Sequence, residues 1–422
     1  MNIVWSIITT PIGNYPVIAA IVLSIVFYIL GRIVWALRVY VIRYKYILKR
    51  RQGWITLEIR IPREIERSPE AMELFLINAM YQSGGIGSWY KKYWQGKILN
   101  WSSLEIVSFG GSVHFYIRCH KWMKDIVEAQ LYAQFPQIEI LDVADYTDRI
   151  PPFDKDADWN LYGGTFKYEE DTVLPIRTYK DWGVDRHTES LDSEQQIDPI
   201  NAIYEALSSL REGEEMWIQI LLQANKGSWW KKRAEKYIQA LRDKYEIGEK
   251  KTEEEGGGDR YRKLTKGQEE QINAIERSME KFRFETGIRV IYLAKKDKYD
   301  GSKHIYIKNL FSGYASQHLN RLKRVTLTGF DHPWQDFNGF LDNRKKKRFL
   351  EDYRNCEYFH LVNRINWFDL YMKYIDDYDQ PELVMTTEEI ASLWHFPSRS
   401  LQTPGVERIE SRKSEPPSNL PT

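Results

Sequence analysis

The hydrophobic pattern is most one-sided at the start of the chain. The first 31 residues contain no Asp, Glu, Lys or Arg, and the apolar stretch centred on Val17 to Leu30 extends through Ile12 on one side and Trp35 on the other. A bilayer core of about 30 Å takes about 20 helical residues, and Ile12 to Gly31 supplies that length, with Pro11 and Pro16 near its outer end. Beyond it the pattern shortens to that of a mixed α+β body. Trp54 to Ile61 alternates Leu57, Ile59 and Ile61 with Glu58 and Arg60, the period of a half-buried strand, and Pro62 ends it. Ser68 and Pro69 open a helix whose apolar face is Met72, Phe75, Leu76, Ala79 and Met80. After a Gly/Ser/Trp-rich loop from Ser83 to Lys97, Leu104 to Phe109 and Val113 to Cys119 read as two strands joined at Gly110 and Gly111. Met123, Ile126, Val127, Leu131 and Phe135 form a second helical stripe, Pro136 breaks it, and Ile138 to Val143 reads as a last strand.

That order, βαββαβ, is the ferredoxin-like plait, and it recurs in a stretched form. Val173 to Thr178 is read as a strand, Asp198 and Pro199 cap a helix bearing Ile200, Ile203, Leu207 and Leu210, and Met216 to Leu222 is a strong strand. Ile288 to Leu293 supplies the third strand, Ile307, Leu310, Phe311, Tyr314 and Ala315 the second helix, and Arg324 to Thr328 the fourth strand. Between the second and third strands lie a helix starting at Trp229, a polar stretch from Ile247 to Lys266 and a helix from Gln268 to Phe282. The sequence therefore predicts a transmembrane helix with a basic juxtamembrane helix over 1–51 and ferredoxin-like units over 52–150 and 151–330. The second unit carries a helical hairpin insertion over about 228–282, with Glu253 to Gly258 as a mobile tip. An aromatic-rich extension over 331–396 and a Pro/Ser-rich, linker-like tail over 397–422 complete the chain.

Charge orients the first helix. Arg32, Arg38, Arg43, Lys45, Lys49, Arg50 and Arg51 crowd the residues that follow the apolar run, whereas a secretory signal peptide would carry its charge in front. The positive-inside rule then places a single-pass protein in the inner (cytoplasmic) membrane with its soluble body in the cytoplasm. The basic residues snorkel toward the headgroups between Ile33, Val34, Trp35, Leu37, Tyr40, Val41, Tyr44 and Tyr46. Two cysteines, Cys119 and Cys356, fit a reducing compartment rather than a disulfide framework.

Candidate chemistry is sparse. The chain has no Gly-x-x-x-x-Gly-Lys-Ser/Thr loop, no Gly-x-Ser-x-Gly elbow and no His-Glu-x-x-His helix. Adjacent Cys119 and His120 point to opposite sides of a strand end, so Cys119 reads as a boundary thiol. His318 falls on an apolar helical stripe as a hydrogen-bonded core or boundary histidine. Asp154, Asp156 and Asp158 alternate in a loop but lack the glycine and distal glutamate of a calcium loop, which leaves them solvated carboxylates. Trp229, Trp230, Lys231, Lys232 and Arg233 combine stacking with charge, as does Arg344 to Arg348 with its aromatic neighbours, and single-stranded nucleic-acid binders use such mixtures. A net charge of +1 gives that reading no global support. No catalytic residue, metal site or cofactor is expected.

The runs Ser108-Phe109-Gly110-Gly111, His114-Phe115-Tyr116-Ile117 and Val127 to Pro136 give Val107 to Thr147 a resemblance to the membrane-anchored N-terminal region of bacterial type IV secretion and conjugation-like proteins. Thr386 to Pro397 and Ser411 to Pro421 resemble the linker that leads, in such proteins, into a TraG-like or HerA-like DNA-translocating ATPase domain. The resemblance covers nearly the whole chain, which stops at Thr422, where that ATPase domain would begin, so no motor residues carry over. It implies a non-enzymatic platform at the lipid bilayer that docks a P-loop ATPase in trans, or further copies of itself around a pore. The alternative is a membrane-tethered single-stranded nucleic-acid binder using Trp229 to Arg233 and Arg344 to Arg348.

Overall fold

The computed structural model describes residues 16–51, 53–62, 68–81, 88–153, 158–184, 198–246, 264–328, 339–359, 383–397 and 408–409. They belong to two compact units, one formed by 1–52, 86–98 and 360–380 and the other by 53–85, 99–359 and 381–422.

The first unit is built on α1, Pro16–Arg51, 36 residues long. Its Ala20–Ile42 stretch is long and apolar enough to cross a membrane, with a mean hydropathy of 2.2. Leu23, Phe27 and Leu30 point outward from it uncovered, as expected of a helix whose solvent is hydrocarbon. A five-residue helix, α3, Trp89–Tyr93, belongs to the same unit.

The second unit is an α+β body around one mixed-length sheet. Its strands are β1 Trp54–Pro62, β2 Trp101–Phe109, β3 Ser112–His120, β4 Glu139–Val143, β5 Trp159–Tyr168, β6 Glu214–Asn225, β7 Arg283–Lys295, β8 Leu322–Leu327, β9 Val384–Thr386 and β10 Arg408–Ile409. The central path runs β1-β3-β2-β6-β7-β5-β8, with β4 and β10 on the outer side of β1 and β9 on β7. Every pairing is antiparallel except β10 on β1. The β2–β3 turn is as expected: Gly110 and Gly111 take φ of +58° and +96°, and a Cβ on Gly111 would stand 2.8 Å from the Leu210 carbonyl oxygen.

Helices α2 Pro69–Phe75, continued by a widened π turn Leu76–Tyr81, α4 Lys124–Gln134, α5 Ile200–Ser208, α8 Lys303–Asn309 and α10 Thr387–Leu393 bring apolar side chains to one face of this sheet. That face supplies Leu104, Ile106, Phe115, Ile117, Ile218, Ile220, Val290 and Tyr292 to the main core. The opposite face, with Val107, Tyr116, Trp217, Ile291 and Leu293, is covered by Tyr146, Ile150 and Phe153 and by Phe349, Leu350 and Tyr353 of α9, Phe340–Arg354. This second layer is why β1, expected to be half-buried, is buried on both faces from Leu57 to Ile59, Glu58 included.

Two sequence expectations shift. Val173 to Thr178 is not a strand: the strand at that place in the order is β5, which ends at Tyr168, five residues before Val173, and whose centre holds Gly163 and Gly164. A side chain at Gly163 would come within 2.5 Å of the Phe349 ring, so glycine lets α9 seat against the sheet there. Three amides of 173–178 go to carboxylates instead, Val173 N to Asp171 Oδ1, Ile176 N to Glu389 Oε1 and Thr178 N to Asp181 Oδ2, while Leu174 N and Arg177 N go to the Asp171 and Tyr314 carbonyls. Where the hairpin is expected stand two helices, α6 Trp229–Glu246 and α7 Lys266–Glu280, whose Trp230, Ala234, Ile238, Ile272 and Ile275 form a small core together with Val173, Leu174 and Val384. The expected tip lies outside the described residues.

The larger shift concerns Thr386 to Pro397. Rather than a linker, residues 383–397 are buried throughout. β9 pairs with β7, and α10 begins at a capping box in which Thr386 Oγ1 accepts from Glu389 N and Glu389 Oε2 accepts from Thr386 N. Trp394 and Phe396 then insert beside Phe115 in the main core.

Candidate functional site

Trp89, Tyr90 and Trp94 are exposed close together in sequence in the first unit, whereas the exposed aromatic residues of the second, Trp122, Tyr132, Phe282, Tyr306 and Phe340, are spread along the chain. A five-residue helix cannot hold itself together in water, and α3 is fixed by its cap and its rings. Ser88 Oγ accepts from Lys91 N at 3.4 Å. Trp35 of α1 stacks on Trp89 with centroids 6.5 Å apart and planes at 13°, and it meets Trp94 at 6.0 Å. About one turn further along α1, the Arg38 guanidinium sits 3.9 Å from the centre of the Trp94 ring and 5.1 Å from that of Trp35. Tyr90 stacks on Trp94 at 6.2 Å with planes at 18°. One basic group thus lies against the faces of two indoles, a cation–π arrangement.

Of the basic residues expected at the interface, Arg38 is in this cluster and Arg32 donates from NH1 to the Tyr28 hydroxyl one turn back, at 3.3 Å. Lys45 is exposed. Arg43, Lys49, Arg50 and Arg51 share the helical backbone of α1, and their side chains lie outside the description. The sequence pattern shows only the loop from Ser83 to Lys97 here, because the five residues of α3 are too few to show a helical period.

The proposed stacking cluster on α6 is arranged differently from a nucleic-acid platform. Trp230 is buried, donating from Nε1 to the Thr172 carbonyl at 3.3 Å, and its ring is covered by the Arg283 guanidinium at 3.3 Å. Arg233 is paired with Asp171 at 2.8 Å, Trp229 is half-buried, and only Lys231 and Lys232 are fully open. Trp230 cannot stack on a base while Arg283 covers it. In Arg344 to Arg348, Lys346 is held by Asp342 at 2.8 Å and Asn160 at 3.0 Å.

Buried carboxylates are the other place to look for chemistry. Glu105, wholly buried on the α9 face, accepts from Ser103 Oγ, Gln219 Nε2 and the Tyr146 hydroxyl, each at 2.7 Å, and Arg118 NH1 stands 3.8 Å away. Arg118 also donates to Asp145 Oδ2 at 2.5 Å and to the Arg354 carbonyl at 2.7 Å. On the other face Glu73 accepts from the Tyr179 hydroxyl at 2.5 Å and from Lys281 at 2.7 Å, and Glu388 from Thr178 Oγ1 at 2.6 Å and Arg277 Nε at 3.1 Å. Glu389 takes four donors: Tyr168 hydroxyl at 2.6 Å, Ile176 N at 3.0 Å, and Thr386 N and Oγ1 at 2.8 and 2.9 Å. These groups are spent on one another, which stabilises their burial. No three potential metal ligands converge among the described residues.

The remaining singled-out residues have ordinary places. Cys119 is fully buried rather than at a boundary, and burial, reinforced by Glu128 and Asp142, pushes its thiol up to about 12. His120 is buried beside it, with the Trp54 ring 4.6 Å away. His318 is exposed in a bend after α8, not on a helix face. Asp158 is exposed, and Asp154 and Asp156 lie outside the described residues.

One buried pair sets a pH dependence. His395 holds Asp198 Oδ2 at 2.9 Å through Nε2 and the Ala391 carbonyl at 2.8 Å through Nδ1, so both ring nitrogens face acceptors. Burial pulls the imidazole pKa down, but the Asp198 carboxylate and these bonds outweigh it, for a net rise above 6.5. Burial pushes Asp198 up, and His395 overcomes that for a net fall below 3.8. The histidine's contribution is therefore complete below its unfolded pKa near 6.5 and lost as pH rises through the higher folded value; the aspartate's is complete above 3.8 and lost as pH falls through the lower one. Thermal unfolding between pH 6 and 9 should show the midpoint falling as the imidazolium loses its proton, and Asp198→Asn should flatten that slope. An unchanged slope in the variant would show that His395 is not the group responsible.

These features define an α+β domain accompanied by a helix of membrane-crossing length. Residues 54–408 match the family described as a domain of unknown function, DUF8128, from the first residue of β1 to the first of β10, and the chain belongs to that family. No curated protein matches it.

Proposed function

We propose that this chain is a membrane-tethered, non-enzymatic platform, a component of a type IV secretion or conjugative DNA-transfer-like apparatus. In this reading α1 is a single span in the inner membrane with the body in the cytoplasm, consistent with the basic residues that follow its apolar run. The body is a pair of ferredoxin-like βαββαβ units, 52–150 and 151–330, fused through one sheet.

The observation that carries this reading is the strand order. Across the sheet the first half reads β4-β1-β3-β2 and the second β6-β7-β5-β8, so fourth-first-third-second is met by its mirror order, second-third-first-fourth. The two second strands join antiparallel over nine pairs, from Trp101 against Gln223 to Phe109 against Glu215, which is the relation a local two-fold axis requires. In each half one helix follows the first strand and another the third, and the α6–α7 hairpin occupies the link between second and third strands of the second half. A rigid double sheet whose buried ionic groups serve its own packing suits a docking scaffold better than a catalyst.

The partner this reading calls for is a P-loop ATPase of the same apparatus. The full chain in nanodiscs, mixed with that ATPase at micromolar concentration, should co-elute with it on size exclusion. Separate elution in the presence of nucleotide and in its absence would refute the platform role.

A further inference from the structure

We infer that α3 is a second membrane contact, lying in the headgroup layer of the bilayer that α1 crosses, with Trp89, Tyr90 and Trp94 as its interfacial anchors. This rests on the reading of α1 as a membrane span. Three observations carry it. The first is position. With the span set at Ile12 to Gly31, Arg32 is the first charged residue after it, and Trp35 and Arg38, to which α3 is fastened, follow by three and six residues, toward the C-terminal end of the Ala20–Ile42 stretch. At 1.5 Å per residue they stand about 5 and 9 Å further along the helix, in the zone where the polar layer of a leaflet begins. The second is exposure: the Trp89, Tyr90 and Trp94 side chains are 64%, 51% and 46% exposed although α3 is packed on Trp35. Tryptophan and tyrosine concentrate at membrane–water interfaces because one part of the ring system is apolar and the other bonds water or headgroups. The third is charge. Lys91 on α3 and Lys45 on α1 are exposed, and Arg38 lies against the Trp94 and Trp35 rings, so basic groups accompany the aromatic ones in the same unit, a mixture that fits a phosphate-bearing lipid surface. Phe27 and Leu30 are exposed on the same helix eight and five residues before Trp35, so the lipid that covers them in this reading is the occupant the patch meets next.

The test places one fluorescent thiol label at a time on the full chain in lipid vesicles. Cys119 and Cys356 are both buried, so an introduced surface cysteine labels selectively. An NBD group goes on Tyr90→Cys, on Phe27→Cys in the middle of α1, and on Lys232→Cys as an aqueous reference. Nitroxide lipids quench either near the headgroup or near the chain end. The label at 90 should be blue-shifted from that at 232 and lose emission to the headgroup-proximal nitroxide more than to the deep one. The label at 27 should show the opposite preference. If 27 is quenched and 90 behaves like 232, the inference is overturned while the span stands. If 27 is quenched by neither lipid, the span itself falls and the inference with it. Trp89→Ala with Trp94→Ala should shift the label at 90 toward the emission of the reference; an unchanged spectrum would show that the rings do not hold α3 in the layer.

Discussion

Replacing Trp394 by alanine is expected to cost the body about 3–5 kcal/mol, the range for a large aromatic removed from a packed core. Trp394 has no exposed surface, its indole nitrogen donates to the Glu105 carbonyl at 3.3 Å, and its ring stands 6.2 Å from Phe115 and 5.4 Å from Phe396. The cavity would open where α10 meets β2 and β3, and the apolar walls are held by sheet hydrogen bonds, so collapse is limited. Equilibrium denaturation of the full chain in detergent should show the midpoint falling with an unchanged slope. A shift within experimental error would mean that 383–397 behaves as the tether its sequence resembles. That outcome would also detach the extension from the family's folded core.

The same segment shows where sequence pattern fails. The alternation in Trp54 to Ile61 and the glycine pair at 110 and 111 express local rules, and β1 and the β2–β3 turn stand where those rules put them. Thr387 to Leu393 obeys no such rule: every residue of α10 is buried, including Glu388 and Glu389, so no polar face remains to give a helical period. Its acidic residues look solvated in sequence because their partners, Tyr168, Thr178, Arg277 and Lys281, are more than a hundred residues away. β5 was hidden for a related reason. Gly163 and Gly164 weaken its strand pattern, and the demand for glycine comes from Phe349 across the other face. The candidate interface divides likewise: the basic residues of α1 are legible as charge after an apolar run, whereas α3 is defined by rings on another element. Trp230 illustrates the opposite error, since a Trp-Trp-Lys-Lys-Arg run gives no sign that one indole is covered by Arg283.

The second large effect lies at the centre of the sheet. Glu105 and Gln219 are directly opposed across the β2–β6 pair, and the 2.7 Å bond from Gln219 to Glu105 crosses what the proposed two-plait reading makes the seam between its halves. Glu105→Ala removes the acceptor of three donors and the only fully buried one of the two carboxylates that face buried Arg118, leaving it the nearer but partly exposed Asp145. Taking one partner from a buried ionic group costs about 3–5 kcal/mol, because the other stays desolvated. Glu105→Gln should cost less: it retains one acceptor oxygen and fills the volume, though its amide group meets a donor on one side. The location of the loss is more informative than its size. If β2 and β6 bind the halves into one cooperative unit, hydrogen exchange in Glu105→Ala should accelerate to a similar extent in β3 and β7, on either side of the seam. Acceleration confined to β3 would show two plaits that open independently. The continuous sheet would then be an edge-to-edge contact between autonomous domains, and a partner could part them at β2–β6 without unfolding either.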